Sequence, residues 1–148
     1  MLAPGRRTGK IGGCYTAAVM DALGAVLAAD SRVSYALLFG SRARGEASGH
    51  SDTDLAVGLV SGTKLTAREV GDLVSRLESA TDGSVDLVLL DEANPGLAYR
   101  IFRDGHVVLA KDPAALAERR ARAILEYLDF KPIEDVFTQA VLETRAHG

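Results

Sequence analysis

The chain has 148 residues, 47% of them apolar and 25% charged, with a net charge of −3. That length and balance describe one globular domain with a real core, and the weak acidity excludes a protein that wraps nucleic acid by charge alone. A single cysteine, Cys14, excludes both an internal disulfide and a cysteine metal cluster.

The first 13 residues are rich in Gly, Pro and Arg and have no apolar period, so they are expected to be a disordered extension ahead of one domain over 14–148. The opening M-L-A-P-G-R-R-T-G-K lacks the apolar run of a signal peptide, and no stretch approaches a membrane span. A cytosolic location without membrane contact is the expectation. Residues 16–29 read as a helix, with Val19, Met20, Leu23, Val26 and Leu27 on one face. A nearly continuous apolar run over 33–39 reads as a strand buried on both faces. A short helix is expected from Ser41, and a second strand spans 53–60.

Thr66 and Glu69 form a capping box that opens a helix to about residue 80. In it Val70, Leu73, Val74 and Leu77 are spaced for burial. The turn Thr81-Asp82-Gly83-Ser84 leads to a third strand over 85–90. Asn94-Pro95 starts a helix through 102, and a short strand follows at 106–110. Two helices are then expected, 113–128 and 133–145, separated at Phe130-Lys131-Pro132. Arg119, Arg120 and Arg122 read first as a solvated face and second as a surface for a partner. The expected architecture is α/β, a mixed sheet of about four strands with flanking helices packed mainly on one face.

The chemistry concentrates between the first two strands. Asp52 and Asp54, at i and i+2, project from one strand face roughly 7 Å apart. Two such carboxylates repel unless a cation sits between them, and an oxygen-only donor set suits Mg²⁺ or Mn²⁺. At the end of the preceding strand, Gly40-Ser41 makes a tight turn where backbone N–H groups can approach a phosphate. Arg42 and Arg44, in the loop between, read equally as solvated side chains or as groups that neutralise a triphosphate. His50 reads as an exposed loop histidine. There is no Walker A motif, because Gly9-Lys10 and Thr63-Lys64 lack its flanking residues.

Gly40-Ser41, ten residues, then Asp52-x-Asp54 resembles the nucleotidyltransferase signature of the DNA polymerase beta superfamily. The words L-F-G-S-R-A-R-G and S-D-T-D-L-A-V resemble its minimal nucleotidyltransferase (MNT) branch, the antitoxins paired with HEPN-domain toxins, and the likeness runs over about 26–143. The resemblance implies the minimal nucleotidyltransferase fold and a third carboxylate on a neighbouring strand, which V-D-L-V-L-L makes Asp86. Asp82 and Asp91 are the rivals for that role. It implies two Mg²⁺ ions (Mn²⁺ as the alternative) on Asp52, Asp54 and Asp86, ATP as substrate, and triphosphate held at Gly40 and Ser41. It also implies a reaction, AMP transfer to a tyrosine of a cognate HEPN ribonuclease. HEPN ribonucleases also use an Arg and a His with five residues between them on a helix. The Arg44/His50 and Arg100/His106 pairs have that spacing but cross glycine-containing loops, so they are set aside. Two other functions stay open: nucleotide transfer to a small molecule such as an aminoglycoside, and a non-enzymatic antitoxin that only binds.

Overall fold

The computed structural model describes residues 10–11, 15–40 and 53–147. A two-stranded antiparallel ribbon, β1 (Lys10–Ile11) with β2 (Tyr15–Thr16), precedes α1 (Ala17–Ala29). The rest of the expected N-terminal extension lies outside the described residues. The main sheet comprises β3 (Val33–Phe39), β4 (Thr53–Leu59), β5 (Val85–Leu89) and β6 (His106–Ala110). Its order is β5-β4-β3-β6, with β3 antiparallel to both neighbours and β4 parallel to β5. The helix α2 (Ala67–Thr81) links β4 to β5, the crossover that a parallel pair needs. A 3-10 turn (Leu90–Glu92) and α3 (Pro95–Asp104) lead to β6, and α4 (Pro113–His147) ends the fold.

Strand alternation sorts the core into two layers, which corrects the expectation of helices mainly on one face. Ala36, Leu38, Leu55 and Val57 pack with Leu23 and Leu27 of α1 and Leu73 and Leu77 of α2. Tyr35, Leu37 and Ala56 face the other way, onto Ala98 and Ile101 of α3 and Leu116 and Ala123 of α4. The nearly continuous apolar run of β3, broken only by the buried Ser34, is therefore used on both sides. Gly58 leaves room for the Tyr35 ring beside it, since a Cβ there would stand 2.0 Å from the ring's Cζ.

The helix starts follow their local chemistry. Thr66 Oγ1 accepts from the Glu69 N–H, and Glu69 Oε1 accepts from the Thr66 N–H, each at 3.1 Å. Asn94 Oδ1 accepts from the Leu97 N–H at 2.8 Å, with Pro95 at the first helical position.

The C-terminal end departs from expectation twice. First, α4 runs through Pro132 as one helix. The proline removes one backbone donor, at a cost of about 3 kcal/mol in a helix interior. The Leu128 carbonyl that loses its partner lies on an exposed part of the helix, where water can satisfy it. Tyr127, stacked on Tyr99 at 4.1 Å, and Phe130, against Gly96, hold the turn before it. Second, Arg119 is not on a solvated face. It is 6% exposed, and its Nη2 donates to the Leu90 carbonyl at 3.1 Å. Arg120 lies 5.8 Å from the Phe102 ring, while Arg122 is exposed beside Glu126.

At the Val33 end of the sheet, Asp30 is a buried carboxylate that joins three elements. Arg32 grips it in bidentate fashion, Nε to Oδ1 at 2.9 Å and Nη2 to Oδ2 at 2.8 Å, and Arg76 of α2 adds a contact at 3.2 Å. Arg32 also pairs with Glu69, and Lys111 donates to the Asp30 carbonyl at 2.7 Å. The Arg32 hydrogen bonds hold the Asp30 carboxyl far below the ordinary carboxylate range. A lowered folded-state value stabilises the fold fully above the unfolded Asp pKa of about 3.9. That stability is lost as pH falls below 3.9 toward the depressed folded-state value. Asp30→Asn is expected to cost about 2 kcal/mol at pH 7, less than a wholly buried pair because both arginines reach solvent. Urea denaturation at pH 7 and pH 2 checks this, and the mutant's deficit should shrink at the lower pH. A deficit that is the same at both values would contradict it.

Candidate active site

The ends of three adjacent strands meet at the end of the sheet away from Asp30. Gly40 follows β3, Asp54 is the second residue of β4, and Asp86 is the second residue of β5. The register pairs Phe39 with Asp54 and Asp54 with Asp86. Ala56 and Val88, two residues further along, point to the α3/α4 side, so by alternation both carboxylates leave on that face. Directly opposed residues on parallel strands are about 4.8 Å apart. Like charges so placed destabilise one another.

Two hydrogen bonds set this pairing, one between backbones and one from a backbone N–H to a side chain. The Thr53 N–H donates to the Ser84 carbonyl at 3.0 Å, tying the starts of β4 and β5 together. Glu78 Oε2 of α2 accepts from the Val85 N–H at 3.0 Å, one residue before Asp86. Sequence reasoning missed Glu78. Its only signal is a carboxylate near a helix end that leads into an edge strand.

Gly40 is fitted to Asp54. Its φ is +84°, in the left-handed region, and a Cβ there would stand 2.1 Å from Asp54 Oδ2. No side chain fits at residue 40 while that carboxylate keeps its place.

The rivals for the third carboxylate lie elsewhere. Asp82 caps the C-terminus of α2 with φ 54°. Asp91 sits in the 3-10 turn beyond the far end of β5, 3.9 Å from Arg122. Ser41, Arg42, Arg44, His50 and Asp52 fall outside the described residues, as does the short helix expected from Ser41. Arg100 is in α3 and His106 in β6, across Gly105, so that pair does not share a helix.

The donor set fits a hard divalent cation: the Asp54 and Asp86 carboxylates face each other across one strand spacing. Among the described residues no group of three His, Cys, Asp or Glu side chains could hold a metal. A third ligand from Asp52 would come from outside them. A cavity of about 480 Å³ lined by Tyr35, Asp91, Lys111, Arg119 and Arg122 lies at the other end of the sheet and mixes both signs of charge. No helix among the described residues is long and apolar enough to cross a membrane.

The family model for "Polymerase beta, Nucleotidyltransferase" matches residues 22–114, the span that contains Gly40, Asp54 and Asp86. No curated protein sequence matches the chain. Among solved structures, the chain is similar to one in the crystal structure of the toxin-antitoxin with AMP-PNP. The TM-score is 0.72 at 22% identity, over 83% of this chain and 98% of that one. It is also similar to a chain of the MntA-HepT toxin-antitoxin, with TM-score 0.68 at 21% identity, over 84% and 97% of the two chains. A third is the tri-AMPylated Shewanella oneidensis HEPN toxin in complex with MNT antitoxin, with TM-score 0.69 at 21% identity, over 84% and 96%. These likenesses establish the minimal nucleotidyltransferase fold, a four-stranded mixed sheet flanked, among the described residues, by four α-helices.

Proposed function

The chain belongs to the polymerase beta nucleotidyltransferase family, and from that premise we propose that it is an antitoxin that transfers AMP from ATP to a tyrosine hydroxyl of a cognate HEPN-domain ribonuclease. The observation that carries this reading is the in-register Asp54–Asp86 pair, with Gly40 closing directly over Asp54. The toxin-antitoxin structures of like fold, one with AMP-PNP and one with an AMPylated HEPN toxin, support the choice of nucleotide and acceptor.

In the reaction, the acceptor oxygen attacks the α-phosphorus of ATP. The bond from that phosphorus to the oxygen bridging the β-phosphorus breaks, and pyrophosphate leaves. Asp54 and Asp86, with Asp52, would hold two Mg²⁺ ions, or Mn²⁺ in their place. Such ions would supply charge neutralisation on the triphosphate and acidify the attacking hydroxyl. Asp86, the more exposed of the two carboxylates, would take the hydroxyl proton on a carboxylate oxygen. Gly40 and Ser41 present backbone N–H groups to triphosphate oxygens, and Arg42 and Arg44 offset their charge. The chain's part is to align the acceptor oxygen with the α-phosphorus, where positioning contributes most to the rate.

An antitoxin that modifies covalently turns over. With ATP and Mg²⁺, a substoichiometric amount should silence an excess of the HEPN protein, and the silencing should persist after the two are separated. Mass spectrometry of the partner should show AMP on tyrosine. One-to-one titration without ATP, leaving the partner unmodified, would replace this reading with neutralisation by binding. Transfer to an aminoglycoside and not to the protein would replace it with a small-molecule transferase.

A further inference from the structure

The far half of α4 carries a surface that nucleotide transfer leaves unused. The helix packs on α3 through Tyr127, Phe130 and the Glu134 carboxylate beside Gly96, and the other described side chains from residue 131 on are exposed. There Ile133, Val136, Phe137, Ala140, Val141 and Thr144 recur at i, i+3, i+4, i+7, i+8 and i+11, which is one face of a helix. Val136 is 68% and Phe137 69% exposed. A shallow hollow of about 310 Å³ is lined by Phe137, Ala140, Val141, Thr144 and, at its edge, Arg145. A helical stretch without tertiary packing is marginal in water, and contiguous exposed apolar surface marks an interaction site.

We infer that this stripe docks a different protein, one that presents an apolar groove or helix face rimmed by Lys and Arg. Charge selects the occupant. Around the stripe the helix carries Glu126, Asp129, Glu134, Asp135 and Glu143 against Arg122, Lys131 and Arg145; Arg122 is already paired with Glu126 at 3.2 Å and Lys131 with Asp135 at 2.7 Å. A second copy would set the same acidic rim against itself, and an anionic membrane would repel it, since interfacial helices are rich in Lys and Arg. Area points the same way. The exposed apolar side chains offer roughly 500 Å². Two stripes face to face would bury on the order of 1,000 Å², short of the ~1,200–2,000 Å² of a stable interface. The stripe is thus one part of a larger contact that reaches the body of the domain. The inference rests on the proposed function in one respect: the partner is taken to be the acceptor HEPN protein.

The test uses the full chain and three measurements: sedimentation of the chain alone, flotation with phosphatidylserine vesicles, and calorimetry against the HEPN-domain acceptor of the proposed reaction. Val136→Gln/Phe137→Gln removes the stripe while keeping helix propensity, with circular dichroism confirming the helix. Asp129→Lys/Glu143→Lys reverses the rim. The wild type should be monomeric, ignore vesicles and bind the HEPN protein. The first variant should lose at least tenfold in affinity, and the second should bind more weakly with less dependence on salt. MgATP affinity should match wild type in both. No binding by the wild type, affinity within twofold of wild type in both variants, vesicle binding, or self-association abolished by the first variant would each overturn the inference. The transfer reading is judged separately. AMP on the partner with stripe-independent binding keeps that reading and rejects the docking stripe. Stripe-dependent binding without AMP does the reverse.

Discussion

Asp54→Asn should reduce AMP transfer by about three orders of magnitude or more while the fold keeps its stability. The carboxylate faces Asp86 across one strand spacing and touches the space above Gly40. A cation-binding carboxylate at a phosphoryl-transfer centre contributes several kcal/mol to the barrier, and each ~1.4 kcal/mol is tenfold in rate. In the metal-free protein the same charge is repelled by its neighbour. The thermal midpoint in chelator should therefore stay within about 2–4 °C of wild type, which is ~1 kcal/mol at this chain length. ATP affinity should rise with Mg²⁺ for the wild type and lose that dependence in the variant. Radiolabelled transfer, calorimetry and scanning calorimetry read the three quantities. Undiminished transfer by Asp54→Asn would remove the carboxylate pair from the mechanism.

Gly40→Val should be the most damaging single change among the described residues that leaves every charge in place. Two costs combine in it. A β-branched residue at φ +84° is strained by about 1–3 kcal/mol. Its Cβ would also stand 2.1 Å from Asp54 Oδ2, so the carboxylate must move. A displacement of about 1 Å at a reacting centre can cost ~10²-fold in rate, and the bulk blocks backbone approach to phosphate as well. Gly62 separates the two costs. It has φ +82° with nothing within 4 Å of a built Cβ. Gly62→Ala should lose stability alone, whereas Gly40→Ala should lose stability and transfer together. Equal transfer by the two alanine variants would mean that Gly40 is only a turn residue.

Much of the local structure was legible because its causes are local. The apolar run 33–39, the capping box at Thr66 and Glu69, and Asn94-Pro95 each specify an element through neighbours in the chain, and the elements stand there. Gly40 and Asp54 could also be singled out, because a tight turn and a strand-borne acidic pair leave a spacing in the sequence. What lay beyond reach depends on residues that meet only when the chain folds. The apolar run 33–39 announced a strand buried on both faces, but not which helices would cover each, and here α1 and α2 cover one face and α3 and α4 the other. Arg119 looks like one of three surface arginines until the Leu90 carbonyl takes its Nη2. Nothing near Asp30 in sequence announces Arg76. Pro132 signals a break, yet one lost donor at an exposed carbonyl is outweighed by the aromatic packing of the turn before it. The sequence by itself determined which residues could carry the chemistry. Only the tertiary structure decided that Asp86, and neither Asp82 nor Asp91, stands opposite Asp54, because the register of β4 on β5 is set by backbone hydrogen bonds and core packing along the whole strand.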